Sequence, residues 1–139
     1  MRVLLDANVV LDVLQRREPW FDDAAAVMAA AESGRVEGLL ATHTATTIFY
    51  LMARHASRDA ARVQLSELLR FLRVAPVDQA VLTQALALPY ADLEAGVQMA
   101  AAVEAGADYV VTRDRALYAA GPLPALTPGE MLALLADGG

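Results

Sequence analysis

The feature that most constrains the fold is an alternation between short apolar runs and longer segments with helical periodicity. Four runs have the composition of buried parallel strands: residues 3–5, 36–40, 109–112 and, more weakly, 73–77. A fifth, at residues 125–126, is expected to form an edge strand because it follows Pro122 and Pro124.

The segments between these runs predict helices. Gly34 and Gly106 are expected to end two of them, and Thr127 with Pro128 is expected to begin the last. Strand–helix alternation predicts a single α/β domain over residues 1–139. We expect a three-layer sandwich, with a central parallel sheet of four to five strands and helices on both faces. The predicted helices cover residues 9–16, 24–32, 45–55, 58–72, 80–86, 93–104 and 128–135.

Composition excludes several classes of site. The chain has no cysteine, which removes disulfides, thiolate zinc sites and cysteine nucleophiles, and a reducing cytoplasm is the simplest location. It also has no lysine, which removes a phosphate-binding loop of the Walker type. No apolar run approaches the roughly 20 residues that a membrane helix needs.

The charge of the chain bears on nucleic-acid binding. A net charge of −6 argues against a generally basic surface that coats DNA. All eleven basic residues are arginine, and some are grouped. The groups are either solvated helix faces in an arginine-rich sequence or a local rim that faces nucleic acid: Arg16 with Arg17, Arg54 with Arg58 and Arg62, and Arg113 with Arg115.

Two acidic residues follow predicted strands. Asp6 comes directly after the first strand, and Asp114 lies two residues beyond the strand at 109–112. The carboxyl ends of parallel strands form the ligand edge of an open sheet, and neighbouring carboxylates there favour a cation between them. Asp6 alone would be interpreted as a helix N-cap, but the pair indicates a site for a hard divalent ion.

Motifs that contain these acids resemble a known family. Residues 4–14, LLDANVVLDVL, resemble the first motif of PIN domains, small metal-dependent ribonucleases that include the VapC-type toxins. Residues 106–114, GADYVVTRD, resemble their closing motif. Between and after them, residues 48–51 (IFYL), 92–94 (DLE) and 126–130 (LTPGE) resemble one bacterial PIN subgroup. The resemblance covers nearly the whole chain.

The resemblance implies roles for the acids. Asp6 would be the first metal ligand and Asp114 the fourth. The positions of the second and third acids correspond to Thr47 and Ala95, neither of which carries a charge. Two-metal phosphodiester cleavage needs several shared acids, so this departure predicts one weakly bound Mg²⁺ or Mn²⁺ ion.

Nearby residues complete the candidate site. Asp92 and Glu94 lie within one turn of the third acid position, so Asp92 is a candidate metal ligand and Glu94 a candidate catalytic residue beside Asp6 and Asp114. Asn8 either shapes the site or caps a helix, and Thr112 is expected to hold the Asp114 loop through its hydroxyl group.

One further acid belongs to the first motif. Asp12 lies one to two turns beyond Asp6, and we expect its side chain to be exposed to solvent rather than to point to the mouth of the cleft.

Two functions fit this sequence. We favour a Mg²⁺- or Mn²⁺-dependent endoribonuclease that acts on single-stranded RNA. If this enzyme is the toxin of a toxin–antitoxin pair, its partner is an antitoxin protein. The alternative is a degenerate PIN domain that binds RNA or a protein partner without cleavage. A purely structural homodimer is a third interpretation.

We also expect homodimerisation through the helices at residues 45–55 and 58–72 or their neighbours, because these helices carry more apolar residues than one sheet face covers.

Overall fold

The computed structural model describes residues 1–138 and contains one five-stranded parallel sheet. The strand order is β3-β2-β1-β4-β5, so the first strand lies at the centre. Every adjacent pair is parallel. The strands are β1 (Arg2–Leu5), β2 (Glu37–Ala41), β3 (Arg73–Ala75), β4 (Tyr109–Val111) and β5 (Ala125–Leu126).

Within residues 1–138, seven α-helices flank this sheet, which confirms the predicted α/β sandwich. Glycines with positive φ follow two of them, Gly34 at 85° and Gly106 at 75°, as the sequence predicted. Thr127 caps the last helix in a reciprocal capping box with Glu130. The helices are α1 (Ala7–Leu14), α2 (Phe21–Glu32), α3 (Thr42–His55), α4 (Arg58–Leu68), α5 (Gln79–Ala87), α6 (Leu93–Glu104) and α7 (Pro128–Ala136).

The core is divided by the sheet into two layers. Val3 and Leu5 pack with residues of α1, α2, α3, α4 and α7, whereas Leu4, between them, packs with residues of α5 and α6. Successive side chains of a strand point to opposite faces, and Val3, Leu4 and Leu5 of β1 are fully buried on both of them. An apolar run without alternation is therefore the correct signature of this central strand.

The structure differs most from the sequence prediction at α4 and after β4, while the bounds of the other elements shift by three residues or fewer. Helix α4 ends at Leu68, four residues before the predicted end. The prediction was too long because the apolar spacing continues to Leu72, whose side chain is buried where the chain turns into β3. A short 3-10 helix at Arg115–Tyr118 was not predicted, since four residues are too few to show periodicity.

The register of the central strands positions the ligand edge. Leu5 of β1 pairs with Val111 of β4, and the backbone N–H of Asp6 donates to the carbonyl oxygen of Val111 at 2.9 Å. Asp6 and Thr112 therefore leave the sheet side by side. Among the described residues, no helix combines the length and the apolar character that crossing a bilayer demands.

Helices α3 and α4 pack against each other and leave apolar side chains uncovered. Tyr50 on α3 is 58% exposed and Val63 on α4 is 63% exposed. Apolar side chains exposed on two adjacent helices are candidates for an interface between protein chains.

We predict that the chain is a homodimer through this helix pair. Light scattering at micromolar concentration should give twice the mass of the chain. Val63→Glu should give the monomer mass, because a buried carboxylate without a partner opposes association. The control Leu86→Glu, at a 73% exposed position on α5, should leave the dimer intact. A monomeric wild-type protein would contradict the prediction.

Candidate functional site

Asp6 occupies the N-cap position of α1, yet its carboxylate does not cap the helix. The side chain is turned into the protein and is only 7% exposed. Its Oδ1 accepts a hydrogen bond from Gln98 Nε2 at 2.9 Å, and its Oδ2 accepts from Thr112 Oγ1 at 2.8 Å and from the Tyr118 hydroxyl group at 3.2 Å. The carboxylate is thus bound by donors from α6, from the end of β4 and from the 3-10 helix.

Gln98 and Tyr118 are buried polar residues that the sequence reasoning did not identify. Gln98 Nε2 also donates to the Tyr118 hydroxyl oxygen at 3.2 Å, and Gln98 Oε1 accepts from Thr44 Oγ1 at 3.4 Å. The sequence does carry one signal for Gln98. It lies inside the otherwise apolar stretch that α6 contributes to the core, and a buried amide requires hydrogen-bond partners.

Tyr118 remains a hydrogen-bond donor over the ordinary pH range. Burial raises the pKa of its hydroxyl group well above the usual value, and the charge of Asp6 and the hydrogen bond to Asp6 raise it further. The phenol therefore stays protonated and continues to donate to the carboxylate.

Asn8 and Thr112 contact both Asp6 and the loop that follows β4. Asn8 Nδ2 lies 3.4 Å from Asp6 Oδ2, and Asn8 Oδ1 accepts from the backbone N–H of Arg113 at 3.4 Å. Thr112 Oγ1 donates to Asp6 and accepts from the backbone N–H of Asp114 at 3.0 Å. The two side chains connect this loop to the start of α1.

A pocket of about 150 Å³ opens beside Asp6. Asp92 and Glu94 line it together with Asp6, whereas Asp114, an exposed residue, is not among the lining residues. Asp92 also caps α6 by accepting from the backbone N–H of Glu94 at 3.0 Å. The complete lining consists of Asp6, Asn8, Asp92, Glu94, Ala95, Gln98, Leu117 and Tyr118.

The two positions where the family resemblance expects further acids contribute no charge. Ala95 is buried in the pocket wall at 1% exposure. Thr47 uses its hydroxyl group to donate to the carbonyl oxygen of His43 within α3, at 3.1 Å. Neither side chain offers a carboxylate oxygen to a cation.

The donor set does not fit the divalent ion that the resemblance implies. A hard ion needs several carboxylate oxygens with unused lone pairs, whereas Oδ2 of Asp6 accepts from both Thr112 and Tyr118 and only Oδ1, which accepts from Gln98, keeps one. Throughout residues 1–138, no group of three or more Asp, Glu, His or Cys side chains is arranged to hold a metal ion. The arrangement is that of a hydrogen-bonded carboxylate beside a small acidic pocket.

Asp12 is completely buried, so the expectation that it is exposed was wrong. Its carboxylate forms an ion pair with Arg113 at 2.8 Å, and the Arg113 guanidinium group lies 3.8 Å from the centre of the Trp20 ring. Burial raises the pKa of Asp12, although the charges of Arg113 and Arg17 oppose that shift. Sequence spacing gave no sign of this pair, because its members are 101 residues apart.

Several grouped arginines bind other parts of this protein. Arg113 and Arg17 pair with Asp12, and Arg115 pairs with Glu130 at 2.9 Å. Arg54 lies over the ring of Tyr50, as part of the α3 surface. These contacts favour the interpretation of the arginines as ordinary intramolecular partners over a free rim for nucleic acid.

We predict that Arg113→Ala lowers the free energy of unfolding by about 3 kcal/mol near pH 7, because it leaves the buried Asp12 carboxylate without its main partner. The folded-state pKa of Asp12 is raised above its ordinary value of 3.8, so the neutral carboxyl group is favoured in the folded state as the pH falls. The deficit should therefore be smaller near pH 5 than near pH 7.

Urea unfolding at the two pH values measures this effect. Arg70→Ala is the control, because Arg70 forms an exposed pair with Glu67 and its loss should change stability by less than about 0.5 kcal/mol. A deficit for Arg113→Ala that grows toward acid pH would contradict the assignment of Asp12 as the group responsible.

Comparison with solved structures identifies chains of the same fold. A toxin–antitoxin complex from Klebsiella pneumoniae contains a chain with a TM-score of 0.70 and 18% identity, covering 91% of this chain and 97% of its own. FitAcB from Neisseria gonorrhoeae gives 0.69 and 20%, covering 91% and 98%. VapC20 from Mycobacterium tuberculosis, described as a toxin that cleaves the sarcin–ricin loop, gives 0.60 and 14%, covering 78% and 86%.

The sequence comparisons give the family. No curated protein matches the chain. The family model of the PIN domain matches residues 2–116, which is well over half of the 139 residues and includes β1, the pocket residues of α6 and the loop after β4. The chain therefore belongs to the PIN domain family.

Proposed function

We propose that this chain is a PIN domain of the toxin–antitoxin type that acts by binding a basic segment of a partner protein, without cleaving RNA. The observation that carries the proposal is the charge of the pocket. Asp6, Asp92 and Glu94 line it, and its lining includes no basic side chain. RNA phosphates are repelled by such a surface, whereas arginine or lysine side chains of a protein are attracted to it.

The rim of the pocket adds apolar surface to this charge. Leu117 lines the pocket at 39% exposure, and Leu93, next to Asp92 in the chain, is 51% exposed. Exposed leucines beside carboxylates suit an amphipathic segment that presents basic and apolar side chains together. The net charge of −6 favours the approach of such a segment.

The structural neighbours support a protein partner. They include toxin–antitoxin complexes, and the FitAB and Salmonella typhimurium VapBC complexes are described as bound to DNA. We propose an antitoxin-like protein as the partner of this chain. We further propose that residues 1–139 form one domain that works in the cytoplasm, which the lack of cysteine supports.

Fluorescence anisotropy with two labelled probes tests this proposal. An amphipathic peptide that alternates arginine and leucine should bind at low salt, and a single-stranded RNA of the same length should not. Asp92→Asn with Glu94→Gln should weaken peptide binding at least ~10-fold, equivalent to ~1.4 kcal/mol, because it removes two pocket charges. Asparagine retains the ability to cap α6.

The matched control is Asp22→Asn with Glu104→Gln, which removes the same charge from exposed positions on α2 and α6 that do not line the pocket. It should change peptide affinity by less than about 3-fold, consistent with long-range attraction alone. Equal losses in both double variants, or tight binding of the RNA, would refute the proposed pocket interaction.

A second candidate is the Mg²⁺- or Mn²⁺-dependent endoribonuclease that the family resemblance implies. The observation that favours it is the shared pocket of Asp6, Asp92 and Glu94, together with the description of VapC20 as a cleaving toxin. Asp114 would have to move toward the pocket to become a ligand. If this candidate is correct, wild-type protein cleaves single-stranded RNA in Mn²⁺, chelator stops the reaction, and Asp6→Asn abolishes it.

We predict no such cleavage. Incubation of single-stranded RNA with wild-type protein in Mn²⁺ and in chelator should give identical, intact material by gel electrophoresis. Asp6→Asn serves as the control for contaminating nucleases. Chelator-sensitive cleavage that Asp6→Asn removes would replace the binding proposal with the nuclease.

A further inference from the structure

We propose that the Asp6 carboxylate is a structural anion, and that its hydrogen bonds to Gln98, Thr112 and Tyr118 have replaced the metal site of this PIN domain. The protein folds around a buried negative charge that its own neutral donors stabilise. This inference concerns the interior of the chain and does not depend on the proposed partner protein.

The acceptor directions of the carboxylate carry the argument. An ionised carboxylate has about four lone-pair directions on its two oxygens. Four side-chain donors approach them in this structure: Gln98 at Oδ1, and Thr112, Tyr118 and the more distant Asn8 at Oδ2. At Oδ2 a metal ion would have to displace one of these donors, so direct binding without displacement is limited to the single unused direction at Oδ1.

Displacement of Gln98, Thr112 or Tyr118 would be costly because these three donors are buried and each makes a further hydrogen bond. Gln98, Thr112 and Tyr118 are exposed by no more than 2%. Thr112 accepts from the backbone N–H of Asp114 while it donates to Asp6, and Gln98 bridges Asp6 and Tyr118. A buried donor that loses its acceptor keeps its full desolvation penalty, so the hydrogen-bonded set resists opening.

Tyr118 is also fixed from outside the set. Tyr90 donates a hydrogen bond from its hydroxyl group to the carbonyl oxygen of Tyr118 at 3.1 Å. The two rings meet edge to face, with centroids 6.3 Å apart. These contacts restrict the movement of Tyr118. Its hydroxyl group therefore stays against the Asp6 carboxylate.

A metal site and a structural anion predict opposite effects of the same substitution. In a metal site without its ion, neighbouring carboxylates repel, so neutralising one of them stabilises the fold. In a hydrogen-bonded set, Asp6→Asn turns one carboxylate oxygen into an amide N–H₂ that faces either Gln98 or both Thr112 and Tyr118, so at least one buried donor loses its acceptor and the fold is destabilised. Thermal melts in chelator distinguish the two by sign.

We expect Asp6→Asn to lower the Tm in chelator by roughly 5 °C or more, as loss of one or two kcal/mol does in a domain of this size. The control Asp92→Asn makes the same change in the same pocket at an exposed residue that keeps its capping ability, and should shift the Tm by less than about 2 °C. An increase in Tm for Asp6→Asn would overturn the proposal.

Tyr118→Phe provides a second, milder variant that keeps the ring and removes only the hydroxyl donor. It should lower the Tm in chelator more than Tyr109→Phe, because the half-buried Tyr109 donates no side-chain hydrogen bond within residues 1–138. Equal shifts in the two variants would refute a structural role for the Tyr118 hydroxyl group.

Wild-type protein should melt at the same temperature in millimolar Mn²⁺ and in chelator. Thr47→Glu with Ala95→Asp supplies the two missing carboxylates and should bind Mn²⁺ at least ~10-fold more tightly, seen as a metal-dependent rise in Tm. Thr47→Glu alone is the fallback if the change at the buried Ala95 prevents folding, since Thr47 is only half-buried. A Mn²⁺-dependent rise in the wild-type Tm that Asp6→Asn removes would overturn the proposal.

Discussion

The carboxylate of Asp6 is the interaction on which the ligand edge of this protein depends. It follows the central strand directly and accepts hydrogen bonds from α6, from the end of β4 and from the 3-10 helix. A charge with 7% exposure is costly unless several donors surround it, so the surrounding elements must hold fixed positions. Local order around the pocket is thus a consequence of one desolvated anion.

A second buried charge lies on the same helix that Asp6 begins. Asp12 on α1 pairs with Arg113, directly beyond Thr112, and Arg113 stacks on Trp20 before α2. The loop after β4 is therefore attached to α1 twice, by neutral donors at Asp6 and by an ion pair at Asp12. Both attachments join residues more than 100 positions apart in the chain. They fix the loop after β4 relative to α1, which follows the neighbouring strand β1.

The sequence predicted the fold well because apolar runs and helix caps are local signals. The runs that became β1 and β4, the glycines after α2 and α6, and the Thr127 cap each depend on a few consecutive residues. The site was predicted less completely because its contacts are distant. Gln98 lies 92 residues from Asp6 and carries no charge, so the pattern of acidic residues does not reveal it. Asp12 was judged exposed for the same reason, since its partner Arg113 is remote in sequence.

The size of the pocket has a consequence for what enters it. About 150 Å³ is the volume of a cavity that holds one benzene-sized group. A nucleobase with its sugar and phosphate exceeds that space, whereas the end of one long side chain fits within it. A binding partner can therefore place one narrow group next to Asp6, while the rest of that partner extends along the rim of the opening.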